Sequence, residues 1–152
     1  YLHGGDQEQK KRAGTENLAA IVGMVAALKE DLNNQVEHYQ KLEGLKSAFL
    51  VEIANLEYYL NESNHQLPYV VNIGFPGQKN DLLLLRLDLE GISISTGSAC
   101  TAGIVQTSHV LEAFYGPDSH RLKESVRISL SPLNTEEELK QLAQTLKKII
   151  GD

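Results

Sequence analysis

A chain of 152 residues, 41% hydrophobic and 22% charged, is long enough to fold as one soluble domain around its own core, and it has no apolar run near the roughly 20 residues a membrane-spanning helix needs. Lys and Arg number 14 against 20 Asp and Glu, a net charge of -6, which argues against a nucleic-acid partner, because such binding rests on clustered positive charge. The single cysteine cannot close an internal disulfide and no secretory leader pattern opens the sequence, so a reducing, cytoplasmic setting is the expectation.

The chain opens on Tyr1 and a polar stretch from Gly4 to Arg12 without apolar periodicity, which reads as a piece of something longer. From Thr15, a candidate cap, the pattern turns helical. Leu18, Ile21, Val22, Val25, Leu28, Leu32, Val36 and Tyr39 recur at threes and fours, the spacing of one helix face. The stripe resumes as Leu42, Leu45, Phe49, Ile53 and Leu56, so the helix is expected to bend near Gly44 or to give way there to a second one. Asn61 to Pro68 reads as a polar loop. Tyr69 to Phe75 is β-branched and aromatic enough for a strand, ended by Pro76-Gly77.

Asn80 or Asp81 can cap a short helix, Leu82 to Leu89, that Gly91 closes. Ile92 to Ser95 is expected as a second strand, and residues 96–107, rich in glycine and hydroxyls, as an exposed loop. Ser108 can cap a helix from His109 to Tyr115. Val126 to Leu130 alternates as a third strand, stopped by Ser131-Pro132. Thr135-Glu136-Glu137-Glu138 is a capping box that opens the last helix, and Lys147-Lys148 complements the dipole at its end. The fold class is therefore α+β, a small sheet of about three strands covered by helices.

Three places could carry chemistry. Cys100 lies in Ser95-Thr96-Gly97-Ser98-Ala99-Cys100-Thr101-Ala102-Gly103. A lone cysteine is commonly a small buried hydrophobe, but these neighbours make no apolar pocket and leave the backbone free to swing, which suits an exposed nucleophilic thiolate. Arg127 falls between Val126 and Ile128, on the opposite strand face. It is either an edge charge facing water or a guanidinium fork shaped to grip a carboxylate. Arg12 to Asn17 opens the long helix, where a hydroxyl and free N–H groups can hold an anion or simply cap. The five histidines, His3, His38, His65, His109 and His120, show no metal-ligand spacing.

Five segments, in order, resemble the C-terminal third or so of the cysteine desulfurases of the NifS/IscS kind, in the class V aminotransferase group. They are His3-Gly4-Gly5-Asp6-Gln7-Glu8 with Arg12-Ala13-Gly14-Thr15, Thr96-Gly97-Ser98-Ala99-Cys100, Ser108-His109-Val110-Leu111, Arg127-Ile128-Ser129-Leu130, and Asn134-Thr135-Glu136-Glu137-Glu138. Ser131-Pro132 departs from the Ser-Leu-Gly that the family often has after its arginine strand.

The resemblance implies a pyridoxal-phosphate (PLP) enzyme of fold type I that converts L-cysteine to L-alanine and leaves a persulfide on Cys100. Arg127 would hold the substrate carboxylate, and Thr15 would reach the cofactor phosphate of the other subunit in a homodimer. The sulfur would pass to an acceptor protein, in iron–sulfur assembly or tRNA thiolation. The family's PLP lysine, pyridinium-pairing aspartate and acid/base histidine would lie upstream of Tyr1, leaving residues 1–15 as the tail of a large PLP-binding domain and 16–152 as the C-terminal small domain. Lys79, Lys123 and Lys140 fall in polar stretches or on helix faces, so no PLP lysine is expected within the chain. Two other readings stay open: a non-catalytic sulfur-relay or interaction domain, and a class V PLP enzyme of another reaction in which the cysteine is incidental.

Overall fold

The computed structural model of the chain describes residues 2–63, 66–97 and 107–151. The chain divides into two compact units, Tyr1–Glu37 and His38–Asp152, and the division falls inside one helix, α1, Leu18–Glu52.

In the first unit, Glu8, Gln9 and Lys10 take positive φ of 49°, 55° and 65°, a left-handed turn that non-glycine residues seldom adopt. The chain doubles back on itself, and the Ala13 amide donates to the Leu2 carbonyl at 3.0 Å. The cap of α1 is Asn17, whose Oδ1 accepts from the Ala20 amide at 3.1 Å. Thr15, the sequence's candidate, stands two residues too early for its hydroxyl to serve the first turn.

In the second unit α1 runs through Gly44 as a single helical element, since one glycine costs only about 1 kcal/mol in a helix interior. Leu42, Leu45 and Phe49, at threes and fours, turn inward from it. The sheet has three antiparallel strands in the order β1 (Tyr59–Leu60), β2 (Val70–Gly74), β3 (Ser125–Ser129). Val71 faces Ile128 and Ile73 faces Val126 across β2 and β3, and all four are buried. They join Leu83 and Leu87 of α2 (Asn80–Leu89) and Leu139, Leu142, Ala143 and Leu146 of α5 (Glu136–Gly151) in one apolar cluster. Burial of each Val, Leu or Ile side chain among them stabilises by about 1.5–3 kcal/mol. The architecture is thus the expected α+β one.

The strand composition differs from the sequence expectation. Ile92 to Ser95 forms no strand, only an isolated bridge from Ser95 to Arg127. Gly91 at φ 76° closes α2 in a Schellman turn, with Gly91 and Ile92 amides donating to the Asp88 and Leu87 carbonyls. Ile92 and Ile94 are then spent packing on the core. The third strand is instead β1, two residues long and too short to carry a pattern. Asn80 does not cap α2 either. Its buried amide donates to the Leu122 and Ser125 carbonyls at 3.2 and 3.0 Å, tying α2 to α4 (Arg121–Glu124) and β3. The remaining helix, α3 (His109–Tyr115), is capped as expected by Ser108, whose Oγ accepts from the Leu111 amide at 3.3 Å.

Candidate functional site

The alternation of β3 sends Val126 and Ile128 into the core and turns Arg127 to the other sheet face. Two backbone bonds join Ser95 and Arg127, at 3.0 and 2.6 Å. The Arg127 Nε also donates to Ser95 Oγ at 3.0 Å, and that hydroxyl donates to the Arg127 carbonyl at 3.3 Å. The stem of the guanidinium is held, while its terminal nitrogens have no hydrogen-bond partner among the described residues. Among the described residues no carboxylate forms an ion pair with it. A fork of donors fixed on a strand is the arrangement that binds a carboxylate through two parallel hydrogen bonds.

Arg127 lies in an open cleft of about 460 Å³. Its polar lining includes Asn61, Asn72, Ser108 and Glu62, whose carboxylate pairs with Lys46, and its apolar lining includes Leu67, Val110 and Phe114. Phe114 is 71% exposed. Gly97 and Ser108, on either side of residues 98–106, both line the cleft. Cys100 itself lies outside the described residues.

A second polar cluster shares Asn61, Asn72 and Tyr115 with the cleft lining. The Arg121 guanidinium lies between the rings of Tyr59 and Tyr115, 4.2 and 4.5 Å from their centroids, where the ring faces attract a cation. Its Nη1 donates to Asn61 Oδ1 at 2.8 Å. Asn61 Nδ2 donates in turn to Asn72 Oδ1 and Ser125 Oγ, both at 2.8 Å. The Tyr59 hydroxyl donates to Glu124 Oε2 at 3.2 Å, and Glu124 Oε1 accepts from the Gly77 amide at 3.0 Å. Burial raises the Tyr59 pKa above its ordinary 10.0, against a lowering hydrogen bond from Ser125, so the phenol keeps its proton. The Tyr59 ring crosses Gly74, its cross-strand partner, in space a Cβ would fill.

Thr15 belongs to the first unit. It is exposed, and its hydroxyl has no hydrogen-bond partner among the described residues. Arg12 Nη1 donates to the carbonyls of Gly14 and Thr15 at 2.8 and 3.2 Å, which braces the backbone beside that hydroxyl. The Thr15 hydroxyl is a donor that would fit one phosphate oxygen, such as that of PLP. Among the described lysines, Lys46 pairs with Glu62, Lys147 with Glu52 and Lys148 with Glu90. Sequence reasoning singled out Arg127 but passed over Asn72, Asn61 and Arg121. The available signal was alternation: with Val71 and Ile73 inward, Asn72 must share the outer face with Arg127.

The family model described as aminotransferase class-V matches residues 2–142. The putative cysteine desulfurase IscS 1 of Bacillus subtilis (strain 168) is 41% identical over 152 residues, covering 98% of this chain and 40% of that protein. The cysteine desulfurase NifS of Azotobacter vinelandii is 33% identical over 153 residues, covering 99% of this chain and 38% of that protein. Among solved structures, the NifS-like protein from Rickettsia africae ESF-5 superposes with a TM-score of 0.83 at 29% identity, over 99% of this chain and 39% of that one. The chain therefore spans 38–40% of the length of the curated relatives it matches.

Proposed function

Because the chain belongs to the class V aminotransferase family, we propose that it is the C-terminal part of a PLP-dependent cysteine desulfurase acting on L-cysteine. The observation that carries this is Arg127: a braced guanidinium, without a carboxylate partner among the described residues, in a cleft lined by the residues that flank the Cys100 segment. The relatives' names supply the reaction class.

PLP, when bound, supplies the electron sink that loosens the bonds around the substrate's α-carbon. The chain's own residues do the rest. Arg127 holds the substrate carboxylate and so fixes the direction in which the side-chain sulfur points. The Cys100 thiolate attacks that sulfur; an S–S bond forms as the Cβ–S bond breaks, and the electron pair released takes a proton to become a C–H bond of L-alanine. A persulfide remains on Cys100, and a second thiolate, on an acceptor protein, removes its outer sulfur. A sequence with Gly97 and Gly103 on either side of Cys100 suits a thiol that collects at one place and delivers at another. The setting is the reducing cytoplasm, where a free thiol persists.

Thr15 would donate a hydrogen bond from its hydroxyl to a phosphate oxygen of PLP held by the other subunit of a homodimer. Residues 1–15 then belong to the large PLP-binding domain and 16–152 to the small one. This reading also accounts for the apolar residues left exposed along α1, among them Leu18 at 70%, Val22 at 65% and Leu32 at 62%: the rest of such an enzyme provides apolar surface to cover them. The test is Cys100→Ala in the full-length protein. Sulfur release from L-cysteine should fall to background while PLP stays bound; loss of PLP with retained turnover in the loaded fraction would remove Cys100 from the chemistry.

A further inference from the structure

Arginine can only donate hydrogen bonds, and that fact orients two amides beside the candidate carboxylate site. With the Arg121 guanidinium fixed between Tyr59 and Tyr115, the group it meets on Asn61 at 2.8 Å must be the carbonyl oxygen. Asn61 Nδ2 is then turned toward Asn72 and Ser125. Its partner on Asn72 must accept, so Asn72 presents Oδ1 to Asn61. The Asn72 Nδ2 is left over. It has no acceptor among the described residues, on a side chain that lines the cleft and stands directly across the β2–β3 ladder from Arg127.

We propose that Asn72 is a second donor to the carboxylate held by Arg127, and that Arg121 is a positioning residue that sets the Asn72 amide through Asn61. The inference rests on the reading of Arg127 as the carboxylate site. Opposed residues on adjacent antiparallel strands keep their Cβ atoms about 4.5–5.5 Å apart, so one carboxylate can take the guanidinium on one oxygen edge and the amide N–H on the other. The relay explains why a cation is kept between two aromatic rings: a side chain able to both donate and accept would let both amides turn over. An inverted Asn72 would offer its oxygen to the substrate's anion and repel it.

The experiment uses the full-length, PLP-loaded protein and calorimetric titration with two ligands, L-alanine and ethylamine, which differ by the carboxylate. Asn72→Ala should weaken L-alanine binding by about tenfold, the worth of one hydrogen bond to a charged group, and leave ethylamine binding unchanged. Arg121→Gln, which can present either end of an amide to Asn61, should weaken L-alanine selectively. Arg121→Lys, which still only donates, should restore L-alanine affinity to within about twofold of the parent. Equal losses for both ligands, or unchanged L-alanine affinity in Asn72→Ala, would overturn the proposal, as would Lys and Gln at 121 behaving alike. Mass analysis of Cys100 after L-cysteine keeps the two readings apart. Sulfur on Cys100 with an Asn72-independent affinity leaves the desulfurase standing without Asn72. Carboxylate binding that depends on Asn72, with no sulfur on Cys100, leaves Asn72 standing without the desulfurase.

Discussion

The carboxylate grip proposed for Arg127 rests on what surrounds the guanidinium more than on its charge. Its Nε and backbone are tied to Ser95, so the entropy of fixing a long side chain is met before any ligand arrives. Arg127→Ala should therefore weaken L-cysteine binding by about 1.5–3 kcal/mol, roughly ten- to 150-fold in KM. Steady-state kinetics on the full-length protein check this, and an unchanged KM would move the carboxylate site elsewhere. The placement of Arg127 on the outer sheet face was legible, because alternation with two β-branched neighbours determines it. The roles of Asn61 and Arg121 were not. They lie 60 residues apart, and their bond exists only once β1 and α4 have been brought together by the core.

At the scale of elements, signals held where they were local and failed where a neighbour competed. Ser108 caps α3 as expected. The box at α5 closes reciprocally, with the Glu138 amide donating to Thr135 Oγ1 at 3.3 Å and the Thr135 amide donating to Glu138 Oε2 at 2.9 Å. That backbone bond, with one from Asn134, lowers the Glu138 pKa below its ordinary 4.5. A depressed carboxyl stabilises the fold above the unfolded value and loses that contribution as pH falls through the folded one. Glu138→Gln keeps an acceptor for the box but not its charge, so it should melt slightly below the parent at neutral pH and converge with it as pH falls below 4.5, with a shallower acid slope. Parallel acid slopes would show that the box does not hold in solution. By contrast, Ile92 and Ile94 have strand composition but serve as core packing, and Asn80 has cap chemistry but serves as a buried tie. Tertiary partners overrode propensity at both. Gly74→Ala tests a further such contact. A methyl there collides with Tyr59, so the variant should be destabilised by about 1–3 kcal/mol in chemical denaturation, and a neutral effect would show the ring free to move aside.

Over the whole molecule the apolar stripe of α1 divides in two. Leu42, Leu45 and Phe49 are buried, whereas Leu18, Val22, Leu28, Leu32 and Val36 are exposed. The stripe was plain in the sequence, but periodicity says only that a face is apolar and not what covers it. The match to two fifths of longer relatives, about 40% of one of them, is what joins that exposed face to the proposed enzyme. The central claim, that sulfur from L-cysteine is taken up by Cys100, is tested most directly by mass analysis. The full-length protein is incubated with PLP and L-cysteine, and its peptides are mapped with and without reductant. The expected result is a reductant-labile gain of one sulfur atom on the Cys100 peptide, with L-alanine formed; bound PLP with no sulfur on that peptide would contradict it and point to another class V reaction.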